Sequence, residues 1–339
     1  AAAPVPESAS RQFVSGVDLV EVYATVTDRE GRVVGGLTAA DFELYEDGER
    51  QRIAVFTEGE LPLAIAIAID RSWSMKERLG EARAAAARLL AELRPGDRAM
   101  VVAVGSAIEI LAPLSTDRAA QRRAIDGIDR WGTTPLHDAI VAAIDAVDDA
   151  PGRRALLLLS DGEERFSRAT AADALARARA GGTLVYPIAL GPRRPPLFAE
   201  LAAATGGRSF LVRDRRALDE AVVSIAAALR RQYLLGYAPS RPWTRRGEWR
   251  TIAVRVARPG VRVRARDGYV VPRGPAPGML RRLQLRPEVT PAGTPERVQA
   301  WARITGPAVP AATRAPVASS ARDATGASDR AGGRRPDRP

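Results

Sequence analysis

The stretch L-P-L-A-I-A-I-A-I-D-R-S-W-S, residues 61–74, joins an apolar run to a group of oxygen-bearing side chains. The run 62–69 contains no polar residue, which is typical of a parallel strand covered on both faces. Asp70, Ser72 and Ser74 then follow at alternate positions. A tight loop at the end of the strand would let their oxygens converge on one point, and that arrangement suits a cation.

Helices and apolar strands alternate on the C-terminal side of this stretch. Strands are predicted at 99–104, 108–112, 155–160, 183–190 and 209–212, and helices at 81–93, from Ser115 or Thr116 to about 128, after Pro135, at 169–180, at 197–204 and at 216–230. Such alternation predicts a doubly wound α/β fold, in which a mostly parallel sheet carries helices on both faces. Residues 60–231 are expected to form this domain.

Both flanks of the α/β region show patterns of antiparallel strands. The N-terminal flank has predicted strands at 17–28, 41–46 and 51–56, and the C-terminal flank has them at 232–239, 249–257 and 261–271. Two or three strands alone are marginally stable in water. The flanks 14–58 and 232–273 are therefore predicted to pair as one small β-sandwich, with the α/β domain inserted between them.

The two ends of the chain are predicted to lack a packed core. Residues 1–13 are expected to be a flexible N-terminus, and 274–339 a largely disordered basic tail rich in Pro, Ala, Arg, Gly and Ser. The segment 275–339 holds eleven Arg and five acidic residues, so it supplies much of the formal charge of +11. Within it, 279–285 and 298–304 could form weak structure.

Composition excludes several classes of protein. The absence of Cys excludes disulfides and thiolate metal sites. No nucleic-acid-binding module accompanies the basic residues, so nucleic-acid binding is not expected. No apolar run approaches the roughly 20 residues that span a bilayer. Residues 1–10 also lack the basic and apolar regions of a signal peptide.

Two further motifs are predicted to meet Asp70 at one edge of the sheet. Asp161 follows the strand 155–160, and Thr134 lies in the loop W-G-T-T-P-L before a helix. Open α/β sheets bind ligands outside the carboxyl ends of their strands. Carboxylate and hydroxyl oxygens suit Mg²⁺, Mn²⁺ or Ca²⁺ rather than zinc. One divalent cation, with Mg²⁺ as the first candidate, is expected at Asp70, Ser72, Ser74, Thr134 and Asp161.

The D-x-S-x-S at 70–74, the G-T-T-P-L at 132–136 and the S-D-G at 160–162 together resemble the von Willebrand factor type A (VWA) domain with its metal ion-dependent adhesion site (MIDAS). The resemblance covers 60–231, and the five predicted ligands match the motif residue by residue. Trp73 stands where the family commonly has Gly. A positive φ at this position would strain a bulky residue and change the loop.

The flanking segments resemble a narrower family. D-R-E-G-R-V-V-G-G-L-T-A-A-D-F-E-L-Y-E-D-G at 28–48, Q-Y-L-L-G-Y-A-P at 232–239 and R-A-R-D-G-Y at 264–269 look like the bacterial VWFA-related family described from Acidobacteria. The resemblance then spans 14–273. It implies an exported protein, secreted or periplasmic with its signal peptide removed, and no assigned biochemical activity.

Each candidate residue also has a structural alternative. The predicted ligands could act only as helix N-caps, and Trp73 and Trp131 could either pack across their loops or contact a partner. His137 is the only His in the sequence. We expect it to pack or cap rather than catalyse, because no G-x-S-x-G motif accompanies it. Glu163 and Glu164 are expected to be solvated charges at a helix start, with tuning of the field around the cation as the alternative.

The expected function is a metal-dependent protein-binding module, used for adhesion or as a scaffold, and not an enzyme. Two aspartates only just neutralise a divalent cation. If one of them binds through water, the ion stays electrophilic, and its vacant coordination position would accept an Asp or Glu carboxylate from a protein partner. A metal-assisted hydrolase is the first alternative, and it would need His137, Glu163 or Glu164 as a general base. A structural envelope protein with a vestigial site is the second.

Overall fold

The computed structural model describes residues 16–59, 61–271 and 280–284, with the backbone alone for 16–18 and 280–284. The described residues all belong to one compact unit. The prediction of a flexible N-terminus at 1–13 lies outside the described residues. So does the prediction of a disordered tail at 274–339, apart from 280–284.

The described residues form fifteen strands and six α-helices. The strands are β1 (Gly16–Thr27), β2 (Phe42–Glu46), β3 (Glu49–Gln51), β4 (Val55–Glu58), β5 (Leu63–Asp70), β6 (Arg98–Val104), β7 (Ile108–Ser115), β8 (Arg153–Ser160), β9 (Thr183–Ala189), β10 (Phe210–Leu211), β11 (Tyr233–Tyr237), β12 (Trp249–Val256), β13 (Arg262–Arg264), β14 (Gly268–Val270) and β15 (Leu280–Gln284). The helices are α1 (Leu79–Glu92), α2 (Arg118–Asp126), α3 (Leu136–Asp148), α4 (Ala171–Ala180), α5 (Pro196–Thr205) and α6 (Arg215–Arg230).

Strand β5 lies inside a six-stranded sheet with the order β10-β9-β8-β5-β6-β7. Its neighbours β8 and β6 run parallel to it, and all eight of its residues are buried. The edge pair β6–β7 is antiparallel. Helices α1, α2 and α6 contribute to the core on one face of this sheet, and α3, α4 and α5 to the core on the other. The predicted doubly wound α/β fold is confirmed.

The two flanks form two antiparallel sheets around a core of their own. One sheet has the order β13-β1-β11-β4, with β15 also paired to β1, and the other has the order β14-β12-β2-β3. Strand β1 of the N-terminal flank pairs with β11 and β13 of the C-terminal flank, and β2 pairs with β12. Both flanks therefore contribute to one sandwich, as the predicted fold class requires. The exact domain limits 14–58, 60–231 and 232–273 stay predictions.

Three details of the secondary-structure prediction are wrong. The single strand predicted at 261–271 is split between β13, which pairs with β1, and β14, which pairs with β12 in the other sheet. The single strand predicted at 51–56 is split, because β3 pairs with β2 in one sheet and β4 pairs with β11 in the other. A chain that changes sheets has to interrupt its hydrogen-bond ladder, which an alternating pattern does not reveal. The N-cap of α2 is Asp117, whose side chain accepts a hydrogen bond from the N–H of Ala120, rather than Ser115 or Thr116.

A buried network of charged and phenolic groups joins the two flanks. Glu46 on β2 accepts hydrogen bonds from Nη1 of Arg250 at 2.7 Å and from the hydroxyls of Tyr237 and Tyr269 at 2.6 and 2.9 Å. The side chains of Glu46 and Arg250 are 2% and 0% exposed. These three donors belong to the C-terminal flank, so the carboxylate of Glu46 ties the N-terminal flank to it.

Replacing Glu46 with Gln should destabilise the fold by about 3–5 kcal/mol, because Arg250 would keep a buried charge without its counter-ion. Urea unfolding of the full chain measures this change. Glu43→Gln is the matched control on the same strand, since its pair with Arg50 is 3.7 Å long and the two side chains are 33% and 66% exposed. The control should cost no more than about 1 kcal/mol. Equal losses in the two variants would contradict the role given to the network.

Candidate metal centre

Asp70 and Asp161 lie at the same edge of the central sheet. Asp70 is the last residue of β5, and Asp161 directly follows Ser160, the last residue of β8. The two strands are parallel neighbours, with Ile69 opposite Leu159. Neighbouring strands are about 4.8 Å apart. The ladder therefore places the two aspartates on adjacent loops at the carboxyl ends of the strands.

The carboxyl group of Asp70 is completely buried. Its Oδ2 accepts a hydrogen bond from Oγ of Ser160 at 2.6 Å, and its Oδ1 accepts one from the N–H of Ser72 at 2.9 Å. Burial raises the pKa of Asp70 to about 6; the two hydrogen bonds oppose this shift, and the charge of Asp161 adds to it. No ion pair joins Asp70 to a cationic side chain in the described part of the chain. Its negative charge is thus poorly compensated.

Ser160 is a further residue of this centre that the ligand prediction did not include. It is fully buried. Its hydroxyl donates to Asp70 and accepts a hydrogen bond from the N–H of Gly162 at 2.9 Å. Ser160 is part of the S-D-G motif, so the sequence already drew attention to it. Only the pairing of β8 with β5 shows that its hydroxyl bonds to Asp70. Ser160 orients the carboxyl group of Asp70.

Ser72 and Ser74 lie on one short turn. Ser72 precedes the 3₁₀ turn Trp73–Met75, and its Oγ is 3.0 Å from Oγ of Ser74. Ser72 is buried and Ser74 is exposed. Among the described non-glycine residues, those with a positive φ are Asp47 and Phe166, so the φ of Trp73 is not positive. The 3₁₀ turn accommodates the large residue at the usual glycine position without strain.

The loop before α3 brings Thr134 to the same edge. The N–H of Trp73 donates to the carbonyl of Gly132 at 3.1 Å, and the N–H of Trp131 donates to the carbonyl of Arg71 at 2.8 Å. Gly132 has a φ of 82°, and an added Cβ would lie 2.4 Å from the backbone nitrogen of Ser106, so this crossing requires glycine. Thr134 is 1% exposed. These bonds hold the loops of Ser72 and Thr134 side by side.

The loop after β8 completes the centre. Oδ1 of Asp161 accepts a hydrogen bond from the N–H of Glu163 at 3.0 Å. The N–H of Arg165 donates to the carbonyl of Thr134 at 2.7 Å. We call the loop after β5 the first loop, the loop before α3 the second and the loop after β8 the third. The third loop is therefore hydrogen-bonded to the second, and the second to the first. The five predicted ligands lie on three loops that are linked by main-chain hydrogen bonds.

Glu163 and Glu164 do not start a helix, because α4 begins at Ala171. Oε2 of Glu164 accepts hydrogen bonds from the N–H of His137 at 3.0 Å and from the hydroxyl of Ser167 at 2.8 Å. Nδ1 of His137 lies 3.1 Å from the carbonyl of Ala169. Glu164 and His137 therefore fasten the third loop to the start of α3. The expected packing role of His137 fits these contacts, whereas the expectation of a solvated, helix-starting Glu164 is wrong.

Trp73 and Trp131 both lie on the surface beside these loops, with 61% and 45% of their area exposed. The guanidinium carbon of Arg130 is 5.8 Å from the ring centroid of Trp73, and that of Arg71 is 5.1 Å from the ring of Trp131. Each tryptophan is therefore paired with an arginine of the neighbouring loop. Such pairs contribute about 0.5–1 kcal/mol at exposed sites, and they leave much of each indole accessible.

The chemistry of these side chains fits a hard divalent cation. The possible donors are two carboxylates and three hydroxyls, which are all oxygen ligands of the kind that Mg²⁺ and Ca²⁺ prefer. Within the described residues, no cluster of three or more His, Asp or Glu side chains could hold a metal ion. A cation here would therefore depend on the hydroxyl groups. The poorly compensated charge of Asp70 is the second feature that favours a cation.

Asp70→Asn should remove a pH dependence of stability from the metal-free protein. The charged form of Asp70 is disfavoured in the folded state, since its pKa rises from 3.8 to about 6. Its contribution to stability is therefore greatest below pH 3.8 and is lost as the pH rises through 6. The stability of the parent relative to Asp70→Asn should fall by about 2 kcal/mol between pH 4.5 and 7.5. Urea unfolding in EDTA at both pH values measures it, and a constant difference would contradict the assignment.

Several known proteins are similar to this chain. Residues 65–164 match the family model of the von Willebrand factor type A domain. One similar solved structure is the von Willebrand factor type A protein from Catenulispora acidiphila, with 14% identity, coverage of 78% of this chain and 76% of that chain, and a TM-score of 0.45. Another is the conserved hypothetical protein BatB from Bacteroides thetaiotaomicron, with 20% identity, coverage of 49% of this chain and 98% of that chain, and a TM-score of 0.39. A third is proximal thread matrix protein 1 from the mussel byssus with a zinc-occupied MIDAS motif, with 14% identity, coverage of 55% of this chain and 50% of that chain, and a TM-score of 0.46. At these values the similarities concern the fold alone. Proteins of curated function give no match.

The family match extends from the middle of β5 to the loop after β8. It includes the complete D-x-S-x-S, the loop threonine and the aspartate after β8, so all five predicted ligands lie inside it: Asp70, Ser72, Ser74, Thr134 and Asp161. Helices long and apolar enough to cross a membrane are absent from the described residues. The chain contains a domain of the von Willebrand factor type A family.

Proposed function

We propose that this protein is a metal-dependent protein-binding module, used for adhesion or as a scaffold. VWA domains often mediate protein–protein interaction, and some bind a metal ion at a MIDAS. In the proposed site, Asp70 and Asp161 supply the negative charge and Ser72, Ser74 and Thr134 supply neutral oxygen donors. Mg²⁺ is the proposed ion, and Ca²⁺ or Mn²⁺ would suit the same donors.

The observation that carries the proposal is the buried carboxyl group of Asp70, which forms no described ion pair and accepts its described hydrogen bonds from neutral groups, the N–H of Ser72 and the hydroxyl of Ser160. A buried charge is costly unless a counter-charge balances it. A bound divalent cation would provide that balance and offer an open coordination position to a carboxylate of the partner. Ser160 holds the Asp70 carboxyl group in place, and the linked loops carry the hydroxyls of Ser72, Ser74 and Thr134, of which only that of Ser74 belongs to an exposed residue.

The alternative of a metal-assisted hydrolase has less support. The ring of His137 faces the carbonyl of Ala169 and the carboxylate of Glu164. The backbone N–H of Glu163 is bonded to Asp161, and its side chain pairs with Arg165 at 3.3 Å. Neither group has the environment of a general base that faces a substrate. We therefore propose a non-enzymatic module. If no cation binds, the second alternative, a structural envelope protein with a vestigial site, applies instead.

We propose a protein partner that offers an Asp or Glu carboxylate, with Trp73 and Trp131 as contact residues. Tryptophan is a frequent anchor of protein interfaces, and both indoles are exposed beside the metal loops. Nucleic acid is not a proposed ligand. A secreted or periplasmic location remains part of the proposal and rests on the family resemblance of the flanks.

Thr134→Ala should weaken Mg²⁺ binding at least tenfold, because it removes a proposed ligand from the second loop. Isothermal titration calorimetry of the full chain measures the affinity. Thr133→Ala is the matched control, since Thr133 is the adjacent threonine and its hydroxyl lies 3.4 Å from that of Ser106. The control should bind Mg²⁺ like the parent. If both variants bind equally well, Thr134 is not a ligand.

Trp73→Gly should separate the two proposed roles of the first loop. It restores the residue that the family commonly has at this position, so Mg²⁺ affinity should change little, whereas partner binding should weaken by ~1–3 kcal/mol. Asp70→Ala should abolish both. Affinity capture from an envelope extract, in Mg²⁺ and in EDTA, followed by titration of the captured partner tests this. Loss of Mg²⁺ binding in Trp73→Gly would instead make Trp73 a residue that shapes the loop.

A further inference from the structure

Phe166, in the third loop, combines two unusual features. Its side chain is 80% exposed, and its φ is 70°. A positive φ is rare and strained for a bulky residue, so such residues persist where the surrounding structure enforces them, often at functional sites. Packing in a core does not explain why an aromatic residue occupies this position, because most of its side chain is exposed to solvent.

A set of hydrogen bonds on both sides holds Phe166 in this position. Before it, the N–H of Arg165 donates to the carbonyl of Thr134 at 2.7 Å. After it, the N–H of Ser167 donates to Oε1 of Glu164 at 2.8 Å, and the N–H of Arg168 donates to the carboxylate of Asp138 at 3.0 Å. The chain therefore fixes the loop tip and leaves an aromatic side chain in solvent.

Each of the three loops that carry the predicted ligands presents one such side chain. Of the aromatic residues that the structure describes, the strongly exposed ones are Trp73, Trp131 and Phe166. Main-chain bonds join Trp73 to Gly132 and Arg165 to Thr134. The three exposed aromatic residues therefore lie on linked loops around the candidate metal centre. Exposed apolar groups that gather around one site mark an interaction surface.

We infer that Phe166, together with Trp73 and Trp131, selects a protein segment in which the metal-binding Asp or Glu has large apolar neighbours. This inference rests on the proposed function, because the metal centre supplies the position of the carboxylate. The aromatic side chains then contact the residues on either side of it. Phe166 is the specificity-determining residue of the third loop.

The charges on the rim agree with an acidic segment. The guanidinium group of Arg130 lies against the ring of Trp73 and is exposed, whereas Arg71, beside Trp131, is neutralised by Glu109 at 2.8 Å. A basic residue beside the partner's carboxylate would meet Arg130 and be repelled, whereas apolar or acidic neighbours would not. The predicted recognition element is therefore an Asp or Glu flanked by large apolar residues and free of Lys and Arg.

Selection from a displayed library of random dodecapeptides tests the inference without a known partner. The full chain is immobilised in Mg²⁺, and bound peptides are released with EDTA. Peptides from the parent should be enriched in an acidic residue with a large apolar residue within two positions. Phe166→Asn should retain the acidic residue, lose part of the apolar enrichment and bind the best parental peptide at least tenfold more weakly.

Two controls make the result specific. Asn tolerates a positive φ, so Phe166→Asn should unfold in urea at or above the parental midpoint. Val223→Ser removes an exposed apolar residue from α6, outside the three loops, and should select the same peptides as the parent.

The possible outcomes separate the inference from the proposed function. Acidic peptides without apolar neighbours, or an unchanged selection by Phe166→Asn, would overturn the inference and leave the metal-dependent site in place. Failure to recover any peptide that EDTA releases would overturn both. Recovery of the same peptides by Asp70→Ala would show binding without the metal centre and would also count against both.

Discussion

The parallel pairing of β5 with β8 is the constraint on which the candidate site depends. It sets Ile69 opposite Leu159, so the chain leaves both strands at the same edge, next to each other. A shift by one residue would turn every side chain of the shifted strand to the opposite face of the sheet and move the hydroxyl of Ser160 away from Asp70. All residues of both strands are buried, and the apolar cores on the two faces specify this register.

Two of the buried carboxyl groups, those of Glu46 and Asp70, have contrasting environments. Glu46 receives hydrogen bonds from an arginine and two tyrosines inside the sandwich, so its charge is balanced within the fold. Asp70 receives hydrogen bonds from a hydroxyl and an amide, which orient it without a counter-charge, and its pKa rises to about 6. The first arrangement explains how two distant flanks are joined. The second is the physical basis for proposing a cation.

The loops at the carboxyl edge are ordered by bonds to one another as well as by the sheet. Trp73 is bonded to Gly132, and Arg165 to Thr134, while Glu164 fastens the third loop to α3. Small changes in any one loop would therefore reach the other two. This connection also explains why large aromatic side chains can remain exposed, since hydrogen bonds rather than apolar burial fix the backbone beneath them.

The sequence by itself determined the α/β class and the loops that carry Asp70, Thr134 and Asp161, because period, apolar run length and short motifs are local properties. It also indicated that the flanks pair, because each has too few strands to be stable alone. Only the tertiary structure decided that the 51–56 segment divides between two sheets, that Ser160 orients Asp70 and that Glu164 fastens a loop. The exposed, positive-φ position of Phe166 was likewise decided there. Each of these depends on contacts between residues far apart in the chain, and local patterns carry no information about which distant group will become the partner.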